Sequence, residues 1–125
     1  MRRCLIVDDS SVVRKVACQI LRSLGCTVSE AESGNDAVGL CTVLMPDIIF
    51  LDWHMPGSGK LDAIPAIRAI ESDRRPHIIY VTTEHDTLDI ARALSAGADS
   101  YMMKPFDRAM LSEKLDEIAA SSAAA

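Results

Sequence analysis

The chain has 125 residues, enough for one domain with one core, and 49% apolar with 25% charged residues is an ordinary globular balance. A formal net charge of −5 without any basic block speaks against nucleic-acid binding by this chain. Met1-Arg2-Arg3 is followed only by Cys4 to Val7 before two aspartates, too short for a signal peptide or membrane span, so a soluble cytoplasmic protein is expected, with no membrane partner.

Cys4-Leu5-Ile6-Val7 is a short apolar run ended by Asp8-Asp9 and reads as a first buried strand. Ser10 and Ser11 can cap the helix that follows. There Val13, Val16, Ala17, Ile20, Leu21 and Leu24 make a helical stripe, with Arg14, Lys15 and Arg22 mostly opposite, and Gly25 stops it. Thr27 to Ala31 alternates and suits a strand near the sheet edge. Ser33 to Asp36 is a capping signature for a helix with Ala37, Leu40, Cys41 and Leu44 on one face, ended by Pro46.

Ile48-Ile49-Phe50-Leu51 then runs apolar into Asp52, and the Trp53 to Gly59 segment breaks the pattern. A third helix carries Ile64, Ile67 and Ile70. Pro65 is tolerated only in a first turn, which places the start near Leu61 or Asp62. Arg74-Arg75-Pro76 connects to the strand His77 to Val81, which ends at Thr82-Thr83. Ile90, Ala91, Leu94 and Ala98 mark an alanine-rich helix stopped near Gly97. Ser100 to Met103 is the last strand, ending at Lys104-Pro105. Asp107 can cap a final helix with Met110, Leu111, Leu115 and Ile118 on one face. Residues 1–120 form the expected domain, and Ser121 to Ala125 is a low-complexity tail.

Five strand–helix repeats with short connections predict a parallel sheet with helices on both faces. The expected fold is α/β, flavodoxin-like and doubly wound, with strand order 2-1-3-4-5. Cys4, Cys18, Cys26 and Cys41 show no metal-ligand spacing and read as small core residues of a reducing compartment.

The residues just after the strands carry the chemistry. In the predicted order, Asp8, Asp9, Asp52, Thr82 and Lys104 lie side by side at the carboxyl edge, while the second strand contributes nothing. Neighbouring carboxylates repel, and a hard cation such as Mg²⁺, bound with a phosphate, relieves this. Thr82 and Lys104 then supply a donor and a cation for the phosphate, and Asp52 can act as nucleophile towards phosphorus. Taken singly, each residue is more often a cap, a turn former or a solvated charge. Four strand ends with complementary chemistry on one edge turn that balance.

With Asp8-Asp9, Asp52 followed by Met55-Pro56, Thr82, Gly97-Ala98-Asp99 and Lys104-Pro105-Phe106 in this order, the chain resembles a response-regulator receiver domain of two-component signalling. The resemblance covers Arg3 to about Ala119 and implies a stand-alone, chemotaxis-regulator-like module rather than an enzyme. It implies Asp52 as phosphoacceptor and Mg²⁺ held by Asp8, Asp9, Asp52 and the carbonyl of His54. Asp9 is the direct ligand in this reading and Asp8 acts through water. Thr82 and Lys104 contact the phosphoryl group, Tyr101 turns inward as a switch with Thr82, and Lys104-Pro105 is cis. The implied partners are a histidine kinase or histidine phosphotransfer protein in a phosphorelay, a downstream protein effector, and a phosphatase. The output surface is the fourth helix, fifth strand and fifth helix.

Two positions depart from the family pattern: Lys60 stands where a glycine is common, with Gly59 just before it, and Thr83 replaces a smaller residue. His54 and Glu84 resemble the variable positions that tune dephosphorylation in this family. Two other readings fit parts of the sequence. A Mg²⁺-dependent aspartyl-phosphate phosphatase would want a second Asp at position 54 and a substrate cap. A binding module with a never-phosphorylated acidic pocket would not need the full residue set.

Overall fold

The computed structural model describes residues 2–52, 59–83 and 87–124. Every apolar run named above forms a strand, and every helical stripe a helix. In chain order these are β1 (Arg3–Val7), α1 (Ser11–Ser23), β2 (Thr27–Ala31), α2 (Gly34–Val43), β3 (Ile48–Asp52), α3 (Gly59–Arg68), β4 (His77–Thr82), α4 (Thr87–Ala96), β5 (Ser100–Met103) and α5 (Arg108–Ala124). The sheet is parallel throughout, in the order β2-β1-β3-β4-β5. That is the expected flavodoxin-like arrangement, with α5 continuing as helix into the alanine-rich tail.

Alternation along the strands sends side chains to two cores. Leu5, Val7, Ile49, Leu51, Ile78 and Tyr80 face α2, α3 and α4, where they meet Ala37, Cys41, Ile64, Ile67, Ile90 and Ala93. Cys4, Ile6, Ile48, Phe50, Ile79, Val81 and Met102 face α1 and α5, meeting Ala17, Cys18, Leu21, Leu111, Leu115 and Ile118. A strand buried on both faces needs a continuous apolar run, and β3 is buried at every position. β2, at the edge, is mostly exposed.

Local signals set the boundaries. Ser10 caps α1 through Val13 N–H, Ser33 caps α2 through Asp36 N–H, and Asp107 Oδ1 accepts from Met110 N–H at 2.9 Å. Gly25, at φ +90°, ends α1: its N–H donates to Arg22 O and Cys26 N–H donates to Leu21 O. This double closure calls for a left-handed residue after the last turn.

The helical faces are rotated from the expected ones in three places. In α1 the buried line is Ala17, Cys18 and Leu21, leaving Val16 47% exposed. In α2 it is Gly34, Ala37 and Cys41, while Leu40 is 40% exposed because the sheet ends at β2 and no described element covers that flank. Leu44 has already left the helix, with extended backbone, so helical spacing no longer places it inward. In α4 the small Ala93 packs on the sheet beside Ile90, and Ala91 and Leu94 point outward. The third helix also starts earlier than expected, so Pro65 lies inside α3 rather than in its first turn. Pro65 is on the exposed side of the helix, and buried Ile64 and Ile67 hold the helix to the sheet.

Candidate functional site

The carboxyl ends of β1, β3 and β4 converge because the register puts Val7 opposite Leu51 and Asp52 opposite Val81. Asp8 and Asp52 are each 3% exposed and Thr82 is 2% exposed, the three buried polar residues among those described. Asp9 is exposed. An oxygen from each of Asp8, Asp9 and Asp52 lies within 4.8 Å of the other two. Three hard carboxylate oxygens so close suit a small divalent cation such as Mg²⁺ and offer nothing to a soft metal.

Asp8 is fixed at every polar group. Oδ1 accepts from Ser10 N–H at 2.8 Å and Oδ2 from Lys104 Nζ at 2.9 Å. Its own N–H donates to Ala31 O at 3.1 Å, and its carbonyl accepts from Arg14 Nη1 at 2.7 Å. Lys104 also pairs with Asp52 Oδ1 at 2.9 Å. Burial alone would push the Lys104 ammonium down. Hydrogen bonds and charge attraction from Asp52 and Asp8 overcome that and hold it above its ordinary value. The Lys104 N–H donates to Thr82 O at 2.8 Å, which ties the end of β5 to the end of β4. The Lys104-Pro105 peptide is cis, as expected.

Asp8, Asp9, Asp52 and Lys104 thus come together, and Thr82 is joined to Lys104 through the backbone. Tyr101 stands apart on edge strand β5, 38% exposed and in register with Tyr80. His54 and Glu84 lie outside the described residues, as does the Lys60 side chain. Thr83 joins Val12, Val13, Val16, Pro105 and Phe106 in lining an apolar cavity of about 360 Å³ beside Lys104.

Two contributors are not legible in the helical pattern. Arg14, expected on the outer side of α1, has only 11% of its side chain exposed and bonds Glu30 Oε1 through Nε at 3.1 Å. Glu30 is on β2, so the strand expected to take no part supports the acidic loop both through it and through Ala31 O. The signal available in sequence is an arginine one turn into the helix that follows the acidic pair.

The geometry has known counterparts. The family model described as "Response regulator receiver domain" matches residues 4–116. The chain is 36% identical over 117 residues to chemotaxis protein CheY of Pseudomonas aeruginosa, covering 93% of this chain and 94% of that protein. It is 37% identical over 117 residues to chemotaxis protein CheY-3 of Vibrio cholerae, covering 93% and 90%. Among solved structures, chemotaxis protein CheY4 of Vibrio cholerae superposes with a TM-score of 0.88 at 26% identity, covering 94% of this chain and 98% of that one. The chain belongs to the response-regulator receiver domain family, whose members are signalling modules rather than classical enzymes.

Proposed function

We propose that Asp52 is the phosphoacceptor of a stand-alone receiver that takes its phosphoryl group from a phosphohistidine on a histidine kinase or histidine phosphotransfer protein. The observation that carries this is the Lys104 ammonium seated 2.9 Å from both Asp52 and Asp8, beside the three convergent carboxylates. An Asp52 oxygen attacks phosphorus as the phosphorus–nitrogen bond of the donor breaks and the imidazole leaves. Lys104 offers its charge to the phosphoryl oxygens and Thr82 its hydroxyl.

Asp9 and Asp52 would hold Mg²⁺ directly, Asp8 through water, and the His54 carbonyl completes the protein's share. The bound cation offsets the charge that collects on the phosphoryl oxygens. The apolar cavity beside Lys104 gives a donor protein a place to rest against the site. Phosphorylation favours an arrangement in which Thr82 moves towards the phosphoryl group and Tyr101 turns inward, altering the α4–β5–α5 surface seen by an effector. Return to the resting form is by hydrolysis, with or without a phosphatase partner. No helix among the described residues is long and apolar enough to cross a membrane, which suits a cytoplasmic place in such a relay.

The test is an intact-mass measurement after treatment with a small acyl phosphate or phosphoramidate in Mg²⁺. The expected result is one acid-labile phosphoryl group per wild-type chain and none on Asp52→Ala. An unmodified wild type, or equal modification of the variant, overturns the assignment.

A further inference from the structure

Arg14 ties the acidic loop to the edge strand. Nη1 reaches the Asp8 carbonyl at 2.7 Å while Nε is held by Glu30 Oε1 at 3.1 Å, and the side chain is 11% exposed. A guanidinium is a rigid planar fork, so making both bonds leaves it little freedom to rotate. Asp8 N–H is held at the same time by Ala31 O on the same strand.

We propose that Arg14, clamped by Glu30, is a positioning residue for the divalent-cation site, setting the place of the Asp9 carboxylate. This rests on the reading that Asp8, Asp9 and Asp52 hold Mg²⁺. The Asp8–Asp9 peptide is planar, so the Asp8 carbonyl and the Asp9 N–H turn as one body. Holding that carbonyl on the α1 side therefore fixes the plane from which Asp9 projects. The Asp8 carboxylate is already locked by Ser10 N–H and Lys104, whereas Asp9 is exposed and depends on its backbone for placement. Glu30 aims the guanidinium and acts only through it.

Positioning and simple charge predict opposite signs. Arg14 is a cation near a cation site, so as a bare charge it weakens Mg²⁺ binding, and its removal would tighten it. As a positioning group its removal loosens Asp9 and weakens binding. Outer-shell partners of metal ligands are worth about 10-fold or more in affinity.

The experiment is calorimetric titration of MgCl₂ into wild type, Arg14→Met, Arg14→Lys, Glu30→Gln, the Arg14→Met/Glu30→Gln double variant and Asp9→Asn, with circular dichroism to verify folding. The Mg²⁺ Kd is expected to rise about 10-fold in Arg14→Met. It should also rise in Arg14→Lys, which keeps the charge but not the fork, and less in Glu30→Gln. The double variant should match Arg14→Met alone, because Glu30 has no separate route to the site. If Arg14→Met fails to fold, Arg14→Lys decides the matter, because it keeps the charge and any weakening then comes from loss of the fork. Unchanged or tighter binding in the folded Arg14 variants overturns the proposal. Wild type that takes up no Mg²⁺, or Asp9→Asn that binds like wild type, instead sinks the cation reading, and the proposal falls with it.

Discussion

Lys104 Nζ lies 2.9 Å from Asp52 Oδ1, and the same ammonium holds Asp8 Oδ2 at 2.9 Å. One cation from the fifth strand's end thus keeps two buried carboxylates from the first and third strands together. Without it, like charges would face each other in a pocket with little water to screen them. In the proposed function the same ammonium meets the phosphoryl group, so the resting contact pre-positions it.

Lys104→Met should therefore cost stability before any chemistry is considered. Removing one partner of a buried ion pair typically costs about 3 kcal/mol, because the other charge stays buried. Urea unfolding without divalent cations measures this, and added Mg²⁺ should recover more of the loss in the variant than it adds to wild type. The alkaline limb gives a second check. A lysine held above its ordinary value of 10.5 contributes stability that is complete below that pH and is lost as pH rises through the folded value. Wild type should lose stability above pH 10.5 more steeply than Lys104→Met. Equal unfolding midpoints at neutral pH would show that the carboxylates do not need the ammonium.

At the opposite end of the sheet, Asp99 controls acid stability. Burial raises its carboxyl, but the Ile78 N–H at 2.9 Å, Arg75 at 3.0 Å and Arg68 at 2.6 Å outweigh that and hold it below its ordinary value. A depressed carboxyl contributes stability above its unfolded value of 3.8 that is lost as pH falls through the folded value. Next to it, burial lowers the His77 imidazole, with Asp99 opposing. The unfolded chain then takes up that proton first, so stability begins to fall below pH 6.5. The expected acid profile has two stages: His77→Gln removes the upper one and Asp99→Asn the lower one. Asp99→Asn should also cost about 2 kcal/mol at neutral pH, since a hydrogen-bonded charge is lost from between two guanidinium groups. Unfolding free energies measured from pH 8 to pH 3 test the order, and a single-stage profile unaffected by either variant rejects it.

Much of this architecture is legible in sequence because β3 and β4 are buried on both faces and so must be apolar without interruption. Each such run ends where chemistry begins, so Asp8, Asp52, Thr82 and Lys104 can be read off the strand ends. What periodicity misses is direction within a face. Val16 and Leu40 have the right spacing yet stay 47% and 40% exposed, while Cys18 and Ala93 are small enough to approach the sheet. Arg14 is misplaced for a different reason. A helical wheel assigns charged residues to solvent, whereas a guanidinium with a backbone carbonyl and Glu30 to bond can be nearly buried. Contacts between side chains far apart in sequence have no period to reveal them.

The two left-handed glycines among the described residues should respond differently to alanine. Gly25 has φ +90° and open space around the Cβ position, so Gly25→Ala carries only the backbone penalty, about 1 kcal/mol. Gly97 has φ +123°, and an added Cβ would sit 3.1 Å from Ile64 Cγ2, a side chain with no exposure. Its carbonyl also accepts two bonds from Arg68, at 2.8 and 3.2 Å, so the turn cannot shift freely. Gly97→Ala should lose about 2–3 kcal/mol, combining strain with overpacking. Thermal melts of the two variants under one condition give the comparison, and equal losses would mean that the Ile64 contact relaxes at no cost.

The cysteines should be inert while the chain is folded. All four are buried free thiols, at Cys4, Cys18, Cys26 and Cys41. Burial pushes Cys41 up from 9.0 to about 11, and it likewise raises Cys4 and Cys18. The thiolate is the reacting form, so the rise at Cys41 alone cuts its reactive fraction about 100-fold at pH 8. Burial adds a further barrier, since reagent reaches these thiols only when the surrounding elements open. A chromogenic aromatic disulfide at pH 8 should therefore label the native protein slowly and all four cysteines at once in denaturant. Adding urea below the unfolding transition should change the native rate in step with local opening rather than with thiol acidity. Rapid native labelling of two or more cysteines would show that the sheet faces beneath α1 and α2 are far less closed than their packing indicates.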